Sequence, residues 1–126
     1  MSNYRLTDEQ RQLKEAARRF AEDQLRPIAL EVEAQGGELS RETLKLMAEN
    51  GYVGLDIPPE YGGLGLDTLS CAIILEEISS AWFSAATHSM TLLTGPLLAF
   101  GTEEQKQKYL PGIASGDIIN AFALTE

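Results

Sequence analysis

His88 is the single histidine of the chain, and Ser84 and Ser89 flank it in a stretch from Ile78 to Thr102 that carries no formal charge. A histidine beside serines suggests a base next to a nucleophile. That chemistry also needs an orienting carboxylate in the same place, and helical spacing brings none there. On an apolar segment a lone histidine is more often a hydrogen-bonded core residue. Glu76-Glu77 is a pair of adjacent carboxylates. Neighbours on a helix point about 100° apart, so the pair reads as a half-exposed helix face rather than an acid–base couple. Cys71 is the single cysteine, which excludes an internal disulfide and a cysteine-based zinc site, and a small buried hydrophobe is its simplest role. No His/Cys/Asp/Glu spacing satisfies a metal ion. Gly62-Gly63-Leu64-Gly65 lacks the preceding strand and the spacing of a phosphate-binding loop. The residues contain no complete active site.

The elements that position these side chains are helices. Thr7-Asp8-Glu9-Gln10 is a capping box that opens a first helix, with acidic residues where they favour the helix dipole. Leu13, Ala17, Phe20, Gln24 and Ile28 follow at helical spacing, and Ala16, Ala21, Leu25 and Val32 widen the stripe. Pro27 should bend this helix near Asp23, and Gly36-Gly37 ends it. Ser40 caps a shorter helix buried through Leu44, Met47 and Ala48 and closed by Gly51. A Pro/Gly loop from Gly54 to Gly65 leads to a third helix, capped by Asp67 or Thr68, with Leu69, Ala72, Ile73 and Glu76 on successive turns. Trp82-Phe83, Met90, Leu92-Leu93 and Leu97-Leu98 form a segment apolar on most sides, expected at the centre of a bundle, with Gly95-Pro96 as a kink or first turn. Thr102-Glu103-Glu104-Gln105 is a second capping box, for a helix through Tyr109-Leu110 with Pro111 within its last turns. After the turn Ser115-Gly116-Asp117, the run Ile118 to Leu124 reads as a short strand. A lone strand on a helical domain has nothing to pair with, so a segment beyond Glu126 is expected.

Composition sets the outer limits. The chain has 126 residues, 44% of them hydrophobic and 23% charged, and a formal net charge of −9. These values fit one globular domain and not a disordered chain. The acidic balance argues against a nucleic-acid partner. The uncharged stretch is interrupted by too many Ser, Thr, Gly and Pro residues for a membrane span. The first ten residues do not form a signal or transit peptide. A cytoplasmic protein without a membrane span is the expectation.

Read in order, six segments resemble the N-terminal α-helical domain of the acyl-CoA dehydrogenase family. They are Leu25-Arg26-Pro27-Ile28-Ala29, Gly51 through Pro58, Pro59 through Gly65, Glu76-Glu77-Ile78-Ser79, Gly101 through Pro111, and Ala121-Phe122-Ala123-Leu124-Thr125-Glu126. Each alone is weak; six in register over essentially the whole chain are specific. The resemblance implies an all-α helical bundle over residues 1–117, with residues 118–126 as the first strand of a missing middle β-domain. It also implies FAD as cofactor, an acyl-CoA substrate oxidised to the 2,3-enoyl-CoA, electron-transfer flavoprotein as electron acceptor, and assembly as a homo-oligomer, usually a tetramer.

The resemblance carries roles to few residues. Phe122, Leu124 and Thr125 match the strand that contacts the flavin ring, where the alternative is a strand packed on a sheet. Ala85, His88, Ser89 and Leu92 match the helical segment that lines the acyl pocket, and core packing accounts for these four equally well. His88 falls where the family varies, so a polar group there shapes substrate choice. No catalytic residue is expected in this chain, because the family's carboxylate base usually comes from the C-terminal part. The 126 residues alone should be inactive. The competing expectations are a stand-alone, non-catalytic helical binding or assembly module, and an oxidase or flavin monooxygenase of the same superfamily.

Overall fold

A computed structural model describes residues 5–90, 94–123 and 125. Its helices are α1 (Asp8–Phe20), α2 (Arg26–Gln35), α3 (Arg41–Glu49), α4 (Thr68–Ala81), α5 (Phe83–Ser89), α6 (Thr94–Phe100) and α7 (Glu103–Ala114). Both capping boxes form: Thr7 and Gln10 exchange hydrogen bonds across the start of α1, and Thr102 and Gln105 do so on α7. Ser40 caps α3, and of the two candidates for α4 it is Asp67 that accepts from Ser70 N–H. Gly36 ends α2 in the left-handed conformation that a Cβ disfavours. Gly95-Pro96 lies in the first turn of α6.

The main core joins α1, the turn after it, α2 and α4 through Ala17, Phe20, Leu25, Ala29, Ile74 and Ile78. A smaller cluster, Ile57, Tyr61, Leu110 and Ile113, seats the Pro/Gly loop on α7. The loop is tied at both ends: Leu66 N–H donates to the Leu55 carbonyl (2.9 Å), and Leu55 N–H donates to the Ser89 carbonyl (3.3 Å). The Tyr61 hydroxyl reaches the Glu103 carboxylate at 2.9 Å.

Several expectations need correction. Ahead of Pro27 the chain forms one π-helical turn, Ala21–Leu25, in which Arg26 N–H reaches back to the Ala21 carbonyl. Proline donates no hydrogen bond and crowds the carbonyl four residues earlier, so the extra residue in the turn relieves Asp23. The insertion also shifts the buried stripe: Leu25 and Ala29 turn inward, whereas Gln24 is exposed. On α4 the buried face is Cys71, Ile74 and Ile78 rather than Leu69, Ala72 and Glu76, which are exposed. Glu77 is not half-exposed but buried, at 5%. The segment after Ile78 is no continuous central helix. Trp82 adopts extended backbone and divides α4 from α5, so Trp82 is buried while Phe83 and Phe100 are 75% and 89% exposed. Among the described residues there is no strand: residues 119–123 lie outside any ladder, since a strand needs a partner for its backbone groups.

Candidate functional site

A cleft of about 480 Å³ opens where α3, α5, α7 and the segment after α7 converge. Its apolar lining comes from Leu44, Val53, Met90 and Ile113 and, after α7, from Ile118, Ile119 and Phe122. Thr87, His88 and Asn120 supply its polar side chains. Local structure explains why the segment after α7 lies where it does. Gly116 takes the left-handed turn that ends α7, with φ of 74°. Ile118 N–H then returns to the Gly112 carbonyl at 2.8 Å, which brings residues 119–122 to the cleft.

His88 is held by its own helix. Its Nδ1 lies 3.1 Å from the Ser84 carbonyl and 3.2 Å from the Thr87 hydroxyl. That hydroxyl donates to the same carbonyl at 2.7 Å. The Ser84 carbonyl can only accept, so the 3.1 Å contact is a hydrogen bond in the Nδ1–H tautomer of His88.

The residues singled out in the sequence separate into three groups. His88 and Phe122 line the same cleft, the latter about half exposed (47%). Ala85 and Ser89 are fully buried behind it, where Ala85 packs in the main core. The Ser89 hydroxyl has no hydrogen-bond partner among the described residues. Thr125 is exposed. Leu92 and Leu124 lie outside the described residues. Sequence reasoning missed Leu44, Val53, Ile113 and Asn120, three of which come from other elements. Asn120 carried a usable signal, as the one polar residue interrupting an apolar run.

The perturbed ionisable groups lie elsewhere. Glu77 is held below the usual carboxylate range by the Arg18 guanidinium, which binds both its oxygens at 2.9 Å, and Lys14 adds a second cation at 3.4 Å. Burial, with the negative charges of Asp56 and Asp67 adding to it, pushes the Cys71 thiol up to about 11. Asp56 is itself raised by burial, and its Oδ1 is buried without a partner among the described residues. No carboxylate is among the described residues that line the cleft. Among the described residues no helix is long and apolar enough to cross a membrane.

The main-chain groups of residues 119–123 make no hydrogen bonds among the described residues, and Thr125 is exposed. Free main-chain donors and acceptors in the segment that carries the Phe122 ring fit the polar edge of a flat heterocycle.

Residues 7–117 match the model of the acyl-CoA dehydrogenase N-terminal domain. A Bacillus subtilis protein named probable acyl-CoA dehydrogenase YngJ is 42% identical, over 98% of this chain and 33% of its own length. A solved acyl-CoA dehydrogenase complexed with FAD from Bacillus anthracis superposes with a TM-score of 0.83 at 36% identity, over 100% of this chain and 22% of that one. A chain from a study of the electron transferring flavoprotein of Acidaminococcus fermentans superposes at 0.78 with 37% identity, over 91% and 31% of the two chains. The chain thus spans about a third of the length of these relatives, or less.

Proposed function

The chain belongs to the acyl-CoA dehydrogenase family by its N-terminal domain, and on that premise we propose that it is one wall of the site where an acyl-CoA thioester is oxidised to the 2,3-enoyl-CoA. One observation carries the reading. The acyl-pocket candidate His88 and the flavin candidate Phe122, 34 residues apart in the numbering, line a single cleft with apolar walls. An acyl chain lies against Leu44, Val53, Met90 and Ile113, and burial of its methylenes holds it there. Ala85 and Ser89, small residues behind α5, leave that helix room at the cleft floor.

Phe122 and Thr125, with Leu124 between them in sequence, are the residues assigned to FAD. The unpaired backbone groups of residues 119–123 and the Thr125 hydroxyl would hold the polar edge of its ring. When bound, FAD supplies the hydride acceptor. This chain's own residues bind and orient the acyl group and keep water from the α and β carbons. Removal of the α proton is assigned to a carboxylate outside these 126 residues, as the family resemblance implies, and the described residues that line the cleft include none. Residues 118–126 are accordingly read as the start of a second, β-rich domain. Electron-transfer flavoprotein as electron acceptor, homo-oligomeric assembly and a cytoplasmic location complete the reading.

The test is made on a polypeptide that continues past Glu126, loaded with FAD and mixed anaerobically with butyryl-CoA. Bleaching of the flavin's visible absorption is expected, with none for the 126-residue chain. Retention of full flavin colour with every acyl-CoA offered would remove the enzyme reading.

A further inference from the structure

Two polar side chains that line the cleft, His88 and Asn120, keep hydrogen-bonding capacity unused among the described residues. The Ser84 carbonyl, which can only accept, selects the Nδ1–H tautomer of His88. In the neutral ring the other nitrogen, Nε2, must then be a bare acceptor. It has no partner among the described residues. Asn120 lines the same cleft, and its carboxamide likewise makes no hydrogen bond among the described residues. The amide offers both a donor and an acceptor. Every other side chain lining the cleft is apolar except Thr87, whose proton is already given to Ser84.

An unbranched hydrocarbon would leave both groups stripped of water and unpaired, which is costly. A carboxylate cannot donate to Nε2. A hydroxyl carries both complements, a donor for Nε2 and an acceptor for the Asn120 amide. We propose that His88 and Asn120 form a subsite for a hydroxyl group on the acyl chain, so that hydroxyacyl thioesters are preferred over their unsubstituted counterparts. The hydroxyl lies beyond the β carbon, because the α and β carbons are the ones to be oxidised. The proposal rests on the acyl-thioester reading of the cleft and adds the substrate class.

Two measurements test it. The first needs only this chain, labelled with ¹⁵N-histidine: with a single histidine, long-range ¹H–¹⁵N correlation assigns the tautomer without ambiguity. The Nδ1–H form is expected, and a predominant Nε2–H form would overturn the proposal whatever the substrate. The second uses the FAD-loaded longer polypeptide with γ-hydroxybutyryl-CoA and butyryl-CoA, which differ by one hydroxyl. A binding preference of roughly 3- to 10-fold for the hydroxylated thioester is expected from one net hydrogen bond. The ratio should fall to about one in H88L and in H88N, and return in H88Q, whose amide reaches the Nε2 position. Equal affinities in the parent, or an unchanged ratio in H88L, would refute the hydroxyl subsite and leave the acyl reading standing. Failure of both thioesters to bind would remove the acyl reading itself.

Discussion

Replacing Gly63 with alanine should destabilise the chain by about 3–5 kcal/mol. A Cβ built on Gly63 would lie 2.1 Å from the Ile57 carbonyl oxygen, 2.5 Å from Ile57 Cβ and 2.7 Å from the Ile57 carbonyl carbon. None of these atoms can swing aside as a side-chain tip can. An ordinary C···O contact is about 3.3 Å, so the Ile57 backbone would have to retreat by about 1 Å. That carbonyl accepts from Gly65 N–H at 2.8 Å, and Ile57 is fully buried against α7. Overpacking costs about 1–3 kcal/mol. The Gly65 bond and the adjoining Leu66–Leu55 bond add about 0.5–1.5 kcal/mol each. For a chain of this size the melting temperature should drop by roughly 10–20 °C in thermal unfolding followed by circular dichroism. Gly95 is the control. Its Cβ would meet nothing within 4 Å and its backbone lies outside the left-handed region. Gly95→Ala should therefore be neutral or stabilising by up to about 1 kcal/mol. A Gly63→Ala melting point within about 2 °C of the parent would refute the steric argument.

Two further outcomes follow from the ionisable groups. The Arg18 guanidinium, then Lys14, hold Glu77 below its ordinary value, so its contribution to stability is present above the unfolded carboxylate value and is lost as pH falls through the lower folded one. Glu77→Gln should cost about 1–2 kcal/mol at neutral pH, the low end for charged hydrogen bonds because Arg18 faces solvent, and the gap should close under acid in urea titrations at the two pH values. A constant gap at all pH values would contradict the pairing. Cys71, pushed up to about 11 and buried, should react with a disulfide reagent at mildly alkaline pH at least ~100-fold more slowly folded than in denaturant. Rapid reaction in the folded chain would show that the α4 core opens.

The sequence carries the helix starts well, because capping is local: Thr7, Ser40, Asp67 and Thr102 each bond the backbone three residues on. Burial was less legible. The π turn before Pro27 shifts the buried face, and a fixed 3.6-residue period points to Gln24 where Leu25 is buried. Trp82 breaks the chain between α4 and α5 with no glycine or proline to announce it. His88 and Phe122 could be named from short motifs. The cleft that joins them also needs Leu44, Val53 and Ile113, whose convergence depends on tertiary packing.

The most direct test of the central claim is a crystal structure of the FAD-loaded longer polypeptide with an acyl-CoA bound. The acyl carbons should lie in the cleft between Met90 and Phe122, with the flavin edge against residues 122–125. An acyl chain bound elsewhere, with that cleft filled by protein side chains, would contradict the account.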